Sequence, residues 1–155
     1  MPQLRKSGKL VYGWSEIRPG GTMRIPPQIL TEYPLTADGK VILISGSKQT
    51  GGFSVSTRAL LKTSMMKELF VAHPALDAFA ALGGSFLPYK GRQYAWAAIS
   101  GDGMLTLPSE ALTSLSLCPG ARLLAIRSSN IAVTFGQKGN LIESAREYKG
   151  EIPVY

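Results

Sequence analysis

The chain has 155 residues, 45% of them hydrophobic, and carries 17 basic against 10 acidic side chains for a net charge of +7. That length suits one ordinary domain or two very small ones, and the apolar share supports a real core, which excludes global disorder. No run approaches the roughly 18 apolar residues of a membrane span, the N-terminus lacks the apolar stretch of a signal peptide, and the lone Cys118 makes no internal disulfide, so a cytoplasmic protein without membrane contact is expected.

Residues 1–10 form a basic arm that holds Arg5, Lys6 and Lys9 and no acid. Mixed aromatic and branched residues then predict a strand over 11–17. Gly20-Gly21 makes a tight turn, because glycine adopts positive φ at little cost. A short strand over 22–25 runs into Pro26-Pro27, which suits a first helical turn, where a missing N–H is not needed. The helix that follows, ILTEY, is about two turns long and depends on packing. The turn TADG leads into the strand KVILIS, and SKQTG joins that to GFSVS. GSKQTGG superficially resembles a phosphate loop. Gly52 and Phe53 stand where a lysine and a Ser/Thr are required, however, and a strand follows instead of a helix, so it reads as a hairpin loop.

Residues 56–93 read as a helical linker. Over 56–70, Ser56 or Thr57 caps a helix with Leu61, Met65, Leu69 and Ala72 on one stripe. Pro74 opens a second helix, PALDAFAAL, ended by Gly83-Gly84, and SFLPYKGRQY follows as a loop.

Residues 94–137 repeat residues 11–55. Laid ungapped from Tyr12 over Tyr94 to Leu35 over Leu117, 24 positions share eight identities, among them Trp14/Trp96, Ile17/Ile99, Gly21/Gly103 and Pro26/Pro108. Unrelated segments would share roughly one or two. Beyond that stretch, one extra residue in the first copy sets Gly39 opposite Gly120. The chain is therefore one unit written twice, each copy a strand, turn, strand, short helix and strand pair. Residues 138–155 form a tail in which AREYKGEIPVY is extended, with Ile152, Val154 and Tyr155 available to pack on the body or on a neighbouring chain.

Chemistry-bearing residues are sparse. The single His73 and single Cys118 lie in different segments, and no carboxylates cluster at ligand spacing, so no metal site is expected. Asp102 in GDG reads as a turn residue. No Ser/His/Asp set or carboxylate pair assembles, so no catalytic or cofactor-binding residue is assigned and an enzyme is not expected.

The steps GTMRIP with PLTADGKVILI, and GMLTLP with LSLCPGARLLAI, resemble the AbrB/SpoVT/MazE family. The tandem arrangement with helices between the copies is similar to that of MraZ, a two-copy relative. The resemblance implies a mainly β fold with short helices: a swapped-hairpin β-barrel built from two internal repeats, closed within one chain or by pairing with a second chain as a homodimer. It also implies double-stranded DNA as partner, as in transcriptional regulators and antitoxins. Family members often carry arginine directly after the motif glycine, where this chain has Thr22 and Met104. Arg18 and Arg24 of the first copy, with Arg5, Lys6 and Lys9 of the arm, are the cationic candidates for phosphate and base contacts. The alternative is a protein-interaction module (for example antitoxin-like partner binding, with a toxin as candidate partner) that kept the barrel without DNA binding.

Overall fold

A computed structural model describes residues 5–6, 9–64, 66–80, 83–148 and 150–155, with side chains from residue 10 onward. The first copy contributes β2 (Lys9–Glu16), β3 (Thr22–Arg24), α1 (Pro27–Glu32), β4 (Lys40–Ser45) and β5 (Phe53–Ser56), preceded by β1 (Arg5–Lys6). The second contributes β7 (Arg92–Ile99), β8 (Met104–Thr106), α5 (Ser109–Ser114), β9 (Arg122–Arg127) and β10 (Val133–Gly136), preceded by β6 (Leu87–Tyr89). Between the copies lie α2 (Arg58–Lys62), α3 (Glu68–Ala72) and α4 (Pro74–Asp77), and α6 (Asn140–Glu147) follows the second. The fold is mainly β, a nearly closed antiparallel barrel with six short helices among the described residues.

The strand order β1-β2-β9-β10-β5-β4-β7-β8-β3 interleaves the copies. Each first strand pairs with the other copy's third strand: β2 with β9, and β7 with β4. The equivalent short strands pair across the centre, β3 with β8 and β5 with β10. Met23 faces Leu105 and Phe53 faces Phe135, partners 82 residues apart in both cases, which marks an internal two-fold axis. On that axis the Phe53 and Phe135 rings stack with centroids 5.4 Å apart. Tyr12, Ile17, Met23, Ile25, Leu43, Phe53, Leu105, Leu123 and Phe135 fill the barrel interior.

The glycine turns clasp one another across this axis. Ile25 N–H donates to Gly103 O at 2.8 Å, and Leu107 N–H to Gly21 O at 2.9 Å. A Cβ on Gly21 would overlap the Leu107 carbonyl, and one on Gly103 would stand 2.6 Å from Leu30 Cδ1. Both glycines are needed for backbone shape and close approach.

The strand register corrects the repeat alignment at two places. The spacing of 82 continues through β4 and β9, where Lys40 pairs with Ala98 as Arg122 pairs with Glu16, so no residue is inserted before Gly39. Gly39 N–H bonds Thr36 O as Ala121 N–H bonds Cys118 O, closing turns of equal length. Pro119-Gly120 sits where a type II turn takes proline and then a positive-φ residue; in the other copy Gly39 is the last turn residue, as type I prefers. The extra residue lies instead in β2. A bulge between Val11 and Gly13 sets Val11 opposite Ile126, the place Tyr94 takes opposite Ile44. Tyr12 turns into the barrel interior, whereas Tyr94 packs outside, so their shared identity is not a shared position.

Each copy is followed by helices that cover its outer face. Leu61, Leu69, Phe70 and Leu76 pack on Ile42 and Tyr94, and Ile142 and Ala145 pack on Val11, Leu124 and Ile126. The expected single helix over 56–70 is broken. Thr57 caps α2 by accepting from Leu60 N–H, but the Thr63 and Ser64 hydroxyls then bond the carbonyls of Leu60 and Leu61, and Ser64 Oγ accepts from Met66 N–H. Such local bonds compete with helix continuation. Of the expected stripe, Leu61 and Leu69 are buried, Ala72 is exposed and Met65 lies outside the described residues. The second linker helix is also shorter than expected, Pro74–Asp77. The segment read as a loop before the second copy is a hairpin, with Lys90 and Gly91 both at positive φ as a two-residue type I′ turn requires. Residues 145–147, expected to be extended, are helical in α6, and extended pairing of the tail is seen at Val154.

Candidate nucleic-acid interface

Arg18 and Arg24 flank the first glycine turn. Arg18 N–H bonds Thr22 O and Gly21 N–H bonds Arg18 O, so the turn fixes the Arg18 backbone, while Arg24 is held opposite Met104 in the β3–β8 pair. Their side chains, half-buried, converge on the equivalent turn of the second copy. Arg18 Nη1 approaches Met104 Sδ at 3.7 Å, and Arg24 Nη1 donates to the Asp102 main-chain oxygen at 3.4 Å. At the two-fold-related positions stand Ser100 and Thr106, so the cations lie on one side of the axis only. Asp102 is exposed, and the Ser100 hydroxyl that donates to it holds its carboxyl below the ordinary value, with Arg24 acting in the same direction.

Other cations are paired elsewhere. Arg58 binds Asp38, Lys62 binds Asp77, Arg122 binds Glu16 and Arg127 binds Glu32. Among the described residues neither Arg18 nor Arg24 lies within ion-pair distance of a carboxylate.

The arm stands elsewhere. Arg5 and Lys6 form β1 on the leading end of β2, where Lys9 lies, and their side chains are outside the described residues. About 23 Å of strand separates Lys9 from Glu16. The structure thus brings Arg18 and Arg24 together and places the arm at the other end of the strand. Lys90 and Arg92 on the β6–β7 hairpin stand at the leading end of β7, as the arm cations do on β2. Sequence reading missed this correspondence because the Lys90-Gly91 turn is not one of the dipeptides that announce a hairpin.

At one end of α1, Pro34 forces the residue before it to extend, and Tyr33 closes the helix at φ −130°, ψ 136°. This carries Tyr33 into the core, where its hydroxyl donates to Ser129 O at 2.5 Å beneath the Arg127 guanidinium. Tyr12, 1% exposed, lies in the same cluster, and its hydroxyl, near Glu32 and Tyr33, makes no hydrogen bond of ordinary geometry among the described residues. Burial pushes its ionisation far above the ordinary tyrosine value, and the Glu32 charge adds to that.

His73 caps α3 and its Nε2 donates to Pro88 O at 2.7 Å; Cys118 is exposed in its turn. GSKQTGG joins β4 to β5 as a hairpin loop, with Gly51 N–H on Ser47 O. Among the described residues no group of three or more His, Cys, Asp or Glu side chains could hold a metal ion, and no helix is long and apolar enough to cross a membrane. No protein-family model and no curated protein matches this sequence.

Proposed function

We propose that this protein is a cytoplasmic DNA-binding regulator of the AbrB-like type. In this reading Arg18 and Arg24 of the first copy contact double-stranded DNA, and Arg5, Lys6 and Lys9 of the arm add phosphate contacts. The observation that carries the reading is the convergence of Arg18 and Arg24 on one turn with no carboxylate within ion-pair distance among the described residues, in a chain of net charge +7. Arginines held this way neutralise phosphates and can reach guanine edges in a groove. The test is fluorescence anisotropy of a labelled duplex at low salt. Wild type binds, and Arg18→Glu/Arg24→Glu loses about tenfold or more in affinity at unchanged melting temperature. Equal affinity of the two proteins would refute this role.

A second reading, a protein-interaction module that kept the barrel without DNA binding, draws on a different observation. The barrel already holds an extended peptide segment, its own tail, against β2. That reading predicts a protein partner retained by the charge-reversed variant.

A further inference from the structure

We propose that the seam between β2 and β3 is a strand-acceptor site, with the chain's own residues 152–155 as its exchangeable ligand. This site is independent of DNA binding. In the second copy the first and second strands zip together through Ala98 opposite Thr106 and Ile99 opposite Leu105. The same residues of the first copy, Glu16 and Arg24, do not pair. Only Arg18 N–H, beside the turn, reaches across to Thr22 O.

The tail takes the vacant side of β2. Trp14 N–H donates to Pro153 O at 2.8 Å, Tyr155 N–H to Trp14 O at 2.7 Å, and Glu16 N–H to the Tyr155 main-chain oxygen at 3.0 Å. The segment runs parallel to β2 through the Trp14–Val154 bridge. Arg24 O, left without a strand partner, accepts instead from Ser15 Oγ at 2.8 Å. The second copy has Ala97 at that place, which offers no hydroxyl.

One chain therefore displays both arrangements of the same unit, zipped in the second copy and tail-filled in the first. They exclude each other at one atom, because Glu16 N–H cannot serve both Tyr155 O and Arg24 O. Release of the tail leaves Glu16 free to pair with Arg24, as Ala98 pairs with Thr106. The site is shaped for its ligand. A Cβ on Gly13 would stand 2.8 Å from both Pro153 O and Tyr155 Cε2, so glycine there leaves room for the docked segment. Ile152 packs on the Val11–Leu124–Ile142 cluster, while Val154 is 48% exposed. Pro153 has no N–H, so the ladder stops there. The ligand is thus a short extended segment of the form Ile-Pro-Val-Tyr, held by three main-chain bonds.

The test uses the full chain. Ile152→Asp/Tyr155→Ala weakens the tail in place and leaves the β2 backbone intact. A fluorescent synthetic peptide covering residues 150–155 should bind this variant saturably and wild type about tenfold or more weaker, because the attached tail competes at high effective concentration. Adding Gly13→Val should abolish binding. No binding to a variant with wild-type circular dichroism, or equal binding with Gly13→Val, overturns the proposal. Should the variant not fold, native-state hydrogen exchange of wild type decides. The Trp14 and Tyr155 amides, which bond only across the docked tail, should exchange together, about a hundredfold or more faster than those of Leu43 and Leu124. Exchange of both sets only by global unfolding overturns it.

Discussion

Individual residues carry several of the differences between the two copies. The Tyr12 hydroxyl sits inside the barrel, and a buried polar group left without a partner costs about 1–3 kcal/mol. Glu32 and Tyr33 stand near this hydroxyl without closing a hydrogen bond of ordinary geometry. Tyr12→Phe should therefore keep or raise stability in urea unfolding, and a loss of about 1 kcal/mol or more would show that the hydroxyl is satisfied. Burial raises the ionisation of Tyr12, Tyr33 and Tyr94 above the free value of 10.0. Groups so raised bind their protons more tightly when folded. Their contribution is complete below pH 10.0 and is lost as pH climbs above it. Stability should thus fall steeply on the alkaline side, and the triple Tyr→Phe variant should flatten that fall in pH-dependent denaturation. At the end of α5, Ser116 occupies the left-handed region at φ 56°, with Leu117 N–H bonded back to Leu112 O. Ser116→Gly should stabilise by about 0.5–1 kcal/mol in the same assay, because glycine adopts this conformation without strain.

Among the elements, the two glycine turns look alike in sequence but are enclosed differently. Alanine at either position meets a left-handed backbone, which costs about 1–2 kcal/mol. At Gly103 the added Cβ meets the end of the Leu30 side chain, which can rotate; at Gly21 it meets the Leu107 carbonyl, which is fixed by its strand. Gly21→Ala should accordingly lower the melting temperature further than Gly103→Ala. The same contrast explains what could be read from the sequence. Alternation, proline-led helices and glycine turns revealed eight strands and two helices of the repeat, because those signals are local. The break after α2 was not legible, since Thr63 and Ser64 end the helix by bonds that composition does not announce. Helix α6 was missed because only Leu141, Ile142 and Ala145 mark its buried side over two turns. The bulge at Tyr12 was hidden by a coincidence of residue type with Tyr94, which favoured an ungapped alignment. For the candidate site, the glycine motif picked out Arg18 and Arg24 as neighbours of one turn. Chain order alone set the arm at the far end of β2, since it precedes that strand and Arg18 follows it.

At the scale of the whole molecule, the interleaving of the copies decides how the chain behaves. β2 completes its ladder on β9, and β7 on β4, so neither copy closes a core by itself. Unfolding should be a single transition despite the two repeats, with calorimetric and van't Hoff enthalpies equal. The two-fold framework also gives the DNA reading its shape. Two equivalent turns meet at the axis, yet only the first bears arginines, so contact at the turns is expected from the first copy alone. The salt dependence of duplex binding tests that reading most directly. Five phosphate contacts from Arg5, Lys6, Lys9, Arg18 and Arg24 predict a slope of about −4 to −5 in log affinity against log salt. Arg18→Ala/Arg24→Ala should reduce its magnitude by about 2. Binding that does not depend on salt, or a slope unchanged by that double substitution, would contradict the account.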